Sequence, residues 1–160
     1  MESFKSKGKG EIGAKTGYRE IPPTSSGADR IDFLGGKNMR VLLVKPGEVP
    51  CIVEMDNTLE ALQDAVGGFI EAVYPFDDPI ALICNENGKL DDLPLNRALR
   101  DEDGCIYDVI AGSFLVTGLG EEDFSSLTPE LLEKYQKRFL HPEQFFEFAG
   151  RIVVLPQDLS

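Results

Sequence analysis

The sequence predicts a single α+β domain with a small mixed or antiparallel sheet and two to three helices, preceded by a disordered N-terminal extension. Three observations lead to this prediction. The 160 residues are 42% hydrophobic, which suffices for one core but not for two ordinary domains. The stretch from Phe69 to Gly118 alternates apolar runs with polar turns, as the strands of a sheet do. Helix-capping residues precede two further segments whose apolar residues have helical spacing.

Residues 1 to 38 are predicted to be a disordered or non-native extension, and 39 to 160 the domain. The extension holds seven of the 16 glycines and seven Lys or Arg residues, without a sustained apolar period. Gly35 to Met39 can be encoded as a purine-rich ribosome-binding site followed by a start codon, which favours translation from Met39. The alternative is an authentic flexible, basic arm. A sequence resembling a P-loop lies between Gly8 and Thr16, but its lysine is one position too late and no strand precedes it.

The domain is predicted to open with a β-hairpin and a helix. The apolar strands Arg40 to Lys45 and Cys51 to Met55 flank a Pro-Gly turn. Asn57 or Thr58 then caps a helix, and Glu60 is placed to complete a capping box with Asn57. The predicted buried face of this helix contains Leu59, Leu62 and Val66, and Gly67-Gly68 ends it.

The middle of the chain is predicted to supply the centre of the sheet. Phe69 to Tyr74 and Ile80 to Cys84 are apolar strands separated by a turn-rich segment. Asn87-Gly88 is a strong hairpin signal, and Leu95 to Arg100 follows Pro94 as a short predicted helix. The rest is predicted as strands 106–110 and 113–117 with a bulge or close backbone contact at Gly112, a helix from Thr128-Pro129 to about Leu140, a helical turn from Pro142 through Phe148, and a last strand 151–155.

The charge of the chain limits its partners. Lys and Arg total 16 against 28 Asp and Glu, so the formal net charge is -12 and the surface as a whole repels phosphate backbones. We therefore expect no direct binding of nucleic acid. No run reaches the roughly 18 to 20 apolar residues of a membrane span, and the N-terminus lacks the apolar core of a signal peptide. We expect a soluble cytoplasmic protein, monomeric or weakly dimeric.

Catalytic and metal sites lack support in the sequence. The three cysteines are widely spaced and include no CxxC pair, which indicates reduced thiols without a disulfide framework or zinc site. The single histidine, His141, precedes Pro142 at a helix end, where stabilisation of the helix dipole is an ordinary role. Asp101 to Gly104 looks like part of a calcium loop, but Leu99 and Ile110 occupy positions that require carboxylates. We expect no catalytic residue, metal or cofactor. The alternative is an enzyme that acts on a small anionic ligand.

Runs of carboxylates in predicted turns are the first functional signal. They lie at 77–78, 91–92, 101–103 and 121–123. Solvated turns are the usual place for such runs, and this is the simpler interpretation. The sharper interpretation is that an acidic face imitates the phosphates of DNA and binds a protein partner with a basic surface.

A local polar patch is the second signal. Between Pro46 and Glu133 there are 20 acidic residues and only three basic ones, Lys89, Arg97 and Arg100. Arg97 offers a planar fork for a carboxylate or phosphate, and neighbouring amides can donate and accept hydrogen bonds. A small anionic or nucleotide-like ligand could bind here, with Glu86 or Asp108 as acid or base if the protein is an enzyme. The simpler interpretation is that ion pairs fix adjacent turns. The candidate ligand-binding residues are Asn85, Glu86, Lys89, Asn96, Arg97 and Asp108.

The same region resembles a known family. The segments VGGFIE (66–71), NENGK (85–89), LPLNR (93–97) and DVIAG (108–112) are similar to an uncharacterised domain-of-unknown-function family of phages and bacterial mobile elements. The resemblance covers about residues 39–120 and leaves out 1–38 and most of 121–160. It implies an intracellular accessory protein in a setting where acidic antirestriction proteins often occur nearby, and it supplies no catalytic residues. We therefore expect a non-enzymatic binding module of a phage or mobile genetic element.

Overall fold

The structure, a computed structural model, describes residues 18–21 and 38–157. Its elements, in chain order, are β1 (Tyr18–Ile21), β2 (Asn38–Val44), β3 (Cys51–Asp56), α1 (Leu59–Val66), β4 (Ile70–Val73), β5 (Ile80–Asn85), β6 (Leu95–Arg100), β7 (Ile106–Ala111), β8 (Phe114–Leu119), β9 (Phe124–Ser125), α2 (Pro129–Arg138), β10 (Glu143–Phe148) and β11 (Arg151–Pro156). The predicted α+β class is confirmed, with two helices in the described part of the chain.

A seven-stranded sheet forms the centre of the fold. Its order is β1-β3-β2-β8-β5-β4, and β9 pairs with β8. Every pairing in it is antiparallel. The predicted hairpin of β2 and β3 is confirmed. β5 lies inside the sheet as predicted, but β4 is an edge strand and not part of the centre.

Each face of this sheet carries its own core. Along β2, Val41 and Leu43 pack on the side of α1, whereas Leu42 and Val44 pack on the side of α2. This alternation follows from the two-residue period of a strand. Since both faces are covered, the strands are apolar at successive positions, which explains the continuous runs in the sequence.

The β6–β7 hairpin lies on the same face as α2. Leu99 and Ile110 from this hairpin belong to the α2-side core. The prediction of a helix over Leu95 to Arg100 is therefore wrong: antiparallel pairing with β7 and burial override the helix propensity of LNRALR. The hairpin predicted at Asn87-Gly88 is also wrong, because β5 and β6 belong to different sheets. Gly112 makes the predicted close approach, with φ +85° and its N–H donating to Pro94 O at 2.7 Å.

Helix α1 begins and ends as its capping residues predict. Thr58 is the N-cap and accepts from Ala61 N at 3.1 Å, and Gly67 ends the helix in the left-handed region. Asn57 does not cap, since its side chain donates to Phe124 O at 2.8 Å. Leu59 is exposed instead of buried, and Ala61 replaces it on the buried face.

Helix α2 follows the predicted Thr128-Pro129 start and ends at Arg138. The segment after Pro142, predicted as a helical turn, is instead strand β10, which pairs along its whole length with β11. The β-rich aromatic composition of this segment explains the difference. This second hairpin exposes five large apolar side chains: Phe146, Phe148, Ile152, Val153 and Leu155.

Part of the predicted N-terminal extension belongs to the sheet. β1 pairs with β3, with Tyr18 opposite Met55, and Tyr18 packs against the α1-side core. These four residues of the extension form a strand, because the edge of β3 offers main-chain pairing and the core beside it buries part of Tyr18. Residues 1–17 and 22–37 lie outside the described residues. Within the described ranges, no helix is long and apolar enough to cross a membrane.

Candidate functional site: an arginine cavity and an acidic end

The six predicted ligand-binding residues fall into two groups, of which the first surrounds the loop after β5. Asn85 is buried there, and its side chain donates to Val66 O at 3.2 Å and accepts from Asn87 N at 2.8 Å. These bonds join the end of α1 to the loop. Asn85 is therefore a structural residue whose side-chain groups are already bonded within the protein.

The exposed members of this group are Glu86, Lys89 and Asp108. Lys89 forms an ion pair with Asp108 across to β7. An exposed pair of this kind contributes about 0–1 kcal/mol, so its main effect is to orient the loop. Glu86 forms no ion pair within the described ranges. A ligand at this loop would therefore have to compete with the Lys89–Asp108 pair.

The second group, Asn96 and Arg97, forms a buried polar node on β6. The amide nitrogen of Asn96 donates to Val44 O at 2.9 Å and to Gly112 O at 2.8 Å. Its oxygen accepts from Arg97 Nη1 at 2.8 Å. These bonds hold β6 against the end of β2 and the junction between β7 and β8.

Arg97 extends the node to two further elements. Its Nη2 donates to Glu48 O at 2.7 Å in the β2–β3 turn and to Phe139 O at 2.8 Å, and its Nε donates to Phe139 O at 3.1 Å. Phe139 is the C-cap of α2, so the guanidinium lies at the negative end of the helix dipole. Arg97 thus clamps β6 to the β2–β3 turn and to the end of α2, whereas the prediction had ion pairs fixing the adjacent acidic turns. Its acceptors are three main-chain oxygens and the side-chain oxygen of Asn96.

The charge of Arg97 has no carboxylate partner within hydrogen-bond distance among the described residues. The residue is only 2% exposed, and all its hydrogen bonds go to neutral oxygens. Desolvation by burial lowers the pKa of Arg97, and the nearby charge of Glu143 partly opposes this shift. A guanidinium stays protonated despite such a shift, so Arg97 is a buried positive charge.

Arg97 forms one wall of a cavity of about 200 Å³, which we call the arginine cavity. Glu143 lies in the same wall, where its carboxylate binds Arg100 Nη1 at 3.1 Å and Ala98 N at 2.8 Å. The guanidinium carbon of Arg138 lies 4.4 Å from the centroid of the Phe76 ring. The cavity is lined by Arg97, Ala98, Arg100, Arg138, Phe139, His141 and Glu143.

Only part of this cavity could be predicted from the sequence. Arg97 was predicted as a ligand contact, and Arg100 belonged to the same basic island. Arg138, His141 and Glu143 were missed because they lie far along the chain and reach the cavity only through the end of α2 and the start of β10. The isolated His141 next to Pro142 was the one local signal that could have pointed to them.

A second feature lies at the opposite end of the sheet. β3, β4 and β8 run in the same direction, so the turns that follow them meet at one edge. Hydrogen bonds from Asn57 Nδ2 to Phe124 O at 2.8 Å and from Leu119 N to Pro79 O at 3.1 Å tie these turns together. Together with the first turns of both helices they form the acidic end, which we define as Asp56, Glu60, Asp77, Asp78, Glu121, Glu122, Asp123 and Glu130.

Asp78 is the one member of the acidic end that forms an ion pair within the described ranges. Its carboxylate accepts from Lys134 Nζ at 2.6 Å and from the Tyr135 hydroxyl at 2.7 Å. The hydrogen bond from Lys134 has the larger effect and that from Tyr135 adds to it, and together they lower the pKa of Asp78 below its ordinary value. The other carboxylates are exposed and form no ion pair with the described side chains. No group of three or more His, Cys, Asp or Glu side chains in the described part could hold a metal ion.

Comparison with family models identifies the family of this chain. A family model described as a domain of unknown function, DUF3846, matches residues 39–140. The match confirms the resemblance predicted over about 39–120 and extends it through α2, so that most of the arginine cavity lies within it. The β10–β11 hairpin, including Glu143, lies beyond the match. No curated protein and no solved structure matches the chain.

Proposed function

The chain belongs to the DUF3846 family of domains of unknown function, and we propose that it is a non-enzymatic accessory protein that binds a basic protein partner through its acidic end. We place this activity in a phage or mobile genetic element, where the partner is a nucleic-acid-binding protein. The proposal combines the implication of the family resemblance with the distribution of charge over the fold.

The gathering of the carboxylates at one end of the sheet carries the proposal. The turns after β3, β4 and β8 and the first turns of both helices place eight carboxylates at one end of the sheet, and only Asp78 has a cationic partner among the described side chains. Like charges on one end of the sheet repel each other, so a cationic partner that neutralises them gains electrostatic energy. Such a surface also steers a basic protein and speeds its association.

The alternative, a small anion held by the six predicted residues together, has weaker support. Asn85, Asn96 and Arg97 are buried and have hydrogen-bonded partners within the protein. Of the remaining three, Lys89 and Asp108 bind each other. Little of the patch is therefore free to contact a ligand, and the partner-binding function is the better supported of the two.

The experiment compares the binding of a variant that lacks three negative charges at the acidic end with that of a variant that lacks three negative charges elsewhere. In the first variant, Glu121→Gln, Glu122→Gln and Asp123→Asn neutralise the turn after β8. In the control, Asp91→Asn, Glu102→Gln and Asp103→Asn change the net charge by the same amount on other loops. The immobilised chain and both variants are incubated with lysate of the source cells, and each retained protein is purified and its affinity measured.

We expect a basic protein that binds the unmodified chain and the control but binds the acidic-end variant more weakly. Its affinity should fall steeply between about 50 and 200 mM salt, since many charges contribute. Equal binding by the two variants, or binding that salt does not weaken, would refute the proposal.

A further inference from the structure

The arginine cavity holds more positive than negative charge. Three guanidiniums, from Arg97, Arg100 and Arg138, share it with the carboxylate of Glu143, which leaves a formal charge of +2 when His141 is neutral. Glu143 cannot serve all three, because its two oxygens already bind Arg100 and Ala98 N. This local excess is unusual in a chain whose net charge is -12.

Burial of this excess positive charge is unfavourable for the folded state. Removing a charged group from water is unfavourable unless an opposite charge and hydrogen bonds compensate for the lost hydration. Neutral oxygens, three from the main chain and one from the Asn96 side chain, accept the hydrogen bonds of Arg97, and the end of α2 supplies only a partial negative charge. An anion in the cavity would complete this compensation.

The cavity also has unused hydrogen-bond donors and a suitable size. Arg138 stacks on Phe76 without forming an ion pair in the described part of the chain, so its planar fork is oriented yet available. Arg138 and His141 are exposed, which connects the cavity to solvent. Its volume of about 200 Å³ exceeds the roughly 30 Å³ of one water molecule and is below the roughly 300–1,000 Å³ of pockets for drug-sized ligands.

We propose that the arginine cavity binds a small dianionic oxyanion, namely the phosphate group of a small phosphate monoester. A monoester carries a charge of about -1.5 to -2 at neutral pH, which matches the excess in the cavity. A monocarboxylate or a phosphodiester carries one charge and would leave the compensation incomplete. Guanidinium groups bind phosphate oxygens through paired N–H donors, with Arg97 providing the fixed charge behind them. This site is separate from the acidic end and does not depend on the function proposed for it.

The test measures binding and melting temperature of the full chain with four probes at equal ionic strength. Inorganic phosphate and glycerol phosphate are the dianionic probes, and dimethyl phosphate and acetate are the singly charged ones. We expect only the first two to raise the melting temperature relative to chloride, because a ligand that binds the folded state stabilises it. Greater stabilisation by glycerol phosphate would indicate an esterified ligand, and inorganic phosphate alone would indicate the free ion as the ligand.

Arg138→Gln is the variant that tests the position of the site, since this exposed side chain can be changed without disturbing the buried node. Loss of the Arg138 guanidinium should weaken phosphate binding at least about tenfold, as expected for a charge-assisted contact. Arg151→Gln is the control, because it removes an exposed arginine of the β10–β11 hairpin that does not line the cavity. The affinity of this variant for phosphate should stay unchanged. Equal effects of phosphate and chloride, equal stabilisation by dimethyl phosphate, or unchanged binding by Arg138→Gln would each overturn the proposal.

Discussion

Arg97 donates two hydrogen bonds to the carbonyl oxygen of Phe139, one from Nε at 3.1 Å and one from Nη2 at 2.8 Å. Phe139 is the C-cap of α2, whereas Arg97 lies in β6. The buried cation therefore fixes where the second helix ends relative to the small β6–β7 sheet. It also sets the position of the next residues of the chain, which line the arginine cavity.

Replacing Arg97 with alanine should destabilise the fold substantially. Phe139 O, Glu48 O and the side-chain oxygen of Asn96 would lose their donor, and leaving the acceptors of the buried residues Phe139 and Asn96 unsatisfied should cost about 2–4 kcal/mol in total. Arg97→Lys should lose less stability than Arg97→Ala, because lysine keeps the charge although it lacks the planar fork. Denaturant unfolding measures both values. Arg100→Ala, which breaks a partly exposed ion pair, is the matched control, and a loss for Arg97→Ala no larger than for this control would contradict the clamp.

The Tyr135–Asp78 hydrogen bond should make stability depend on pH. Because the pKa of Asp78 is lowered in the folded state, its contribution is present above the ordinary value of 3.8 and is lost as the pH falls through the lower folded value. Tyr135→Phe should therefore lower the melting temperature at pH 7, and the difference should shrink in acid. Tyr74→Phe, at an exposed tyrosine, serves as the control. A difference that stays constant down to the lowest pH at which the chain folds would show that the bond to Asp78 is not its cause.

The three cysteines should react with iodoacetamide in a fixed order. Burial raises the pKa of the Cys51 thiol to about 11 and that of the Cys84 thiol to about 12, so neither forms much thiolate at pH 8. Cys105 is exposed and should be modified first, followed by Cys51, with Cys84 protected until the protein unfolds. Mass spectrometry of peptides at successive times checks the order. Early modification of Cys84 would mean that β5 opens readily.

Two N-terminal truncations should separate β1 from the rest of the extension. A chain that begins at residue 18 keeps the pairing of β1 with β3, whereas a chain that begins at Met39 loses it together with the packing of Tyr18. Only the shorter chain should be less stable, by about 1–2 kcal/mol for the lost aromatic burial. Equal stability of the two chains would show that β1 contributes nothing to the domain.

Local signals were sufficient where local chemistry decides the structure. Thr58 and Gly67 delimit α1, and Thr128-Pro129 begins α2, because capping satisfies main-chain groups within a few residues. The buried strands could be predicted because a sheet covered on both faces requires apolar residues in succession. The resemblance to the family likewise rested on contiguous segments, and the match to residues 39–140 agrees with it.

Tertiary contacts decided what the sequence alone could not predict. LNRALR contains good helix formers, and only its pairing with β7 makes it a strand. Arg97 was correctly singled out as unusual, but its main-chain acceptors could not be foreseen, since every residue carries a carbonyl oxygen. The other arginine-cavity side chains come from α2 and β10, and no sequence spacing relates them to β6. The acidic end depends in the same way on which strand ends meet.

The order of the strands also determines how the chain can assemble while it is being synthesised. Leu42 of β2 pairs with Val116 of β8, its neighbour at the centre of the sheet, and these residues are about 70 positions apart. At a translation rate of about 5–20 residues per second, roughly 4–15 seconds pass between the synthesis of β2 and that of β8. During this interval the apolar strand Val41 to Val44 presents an unpaired edge. Slow translation or high expression would therefore expose nascent chains to aggregation at β2 before the domain can close.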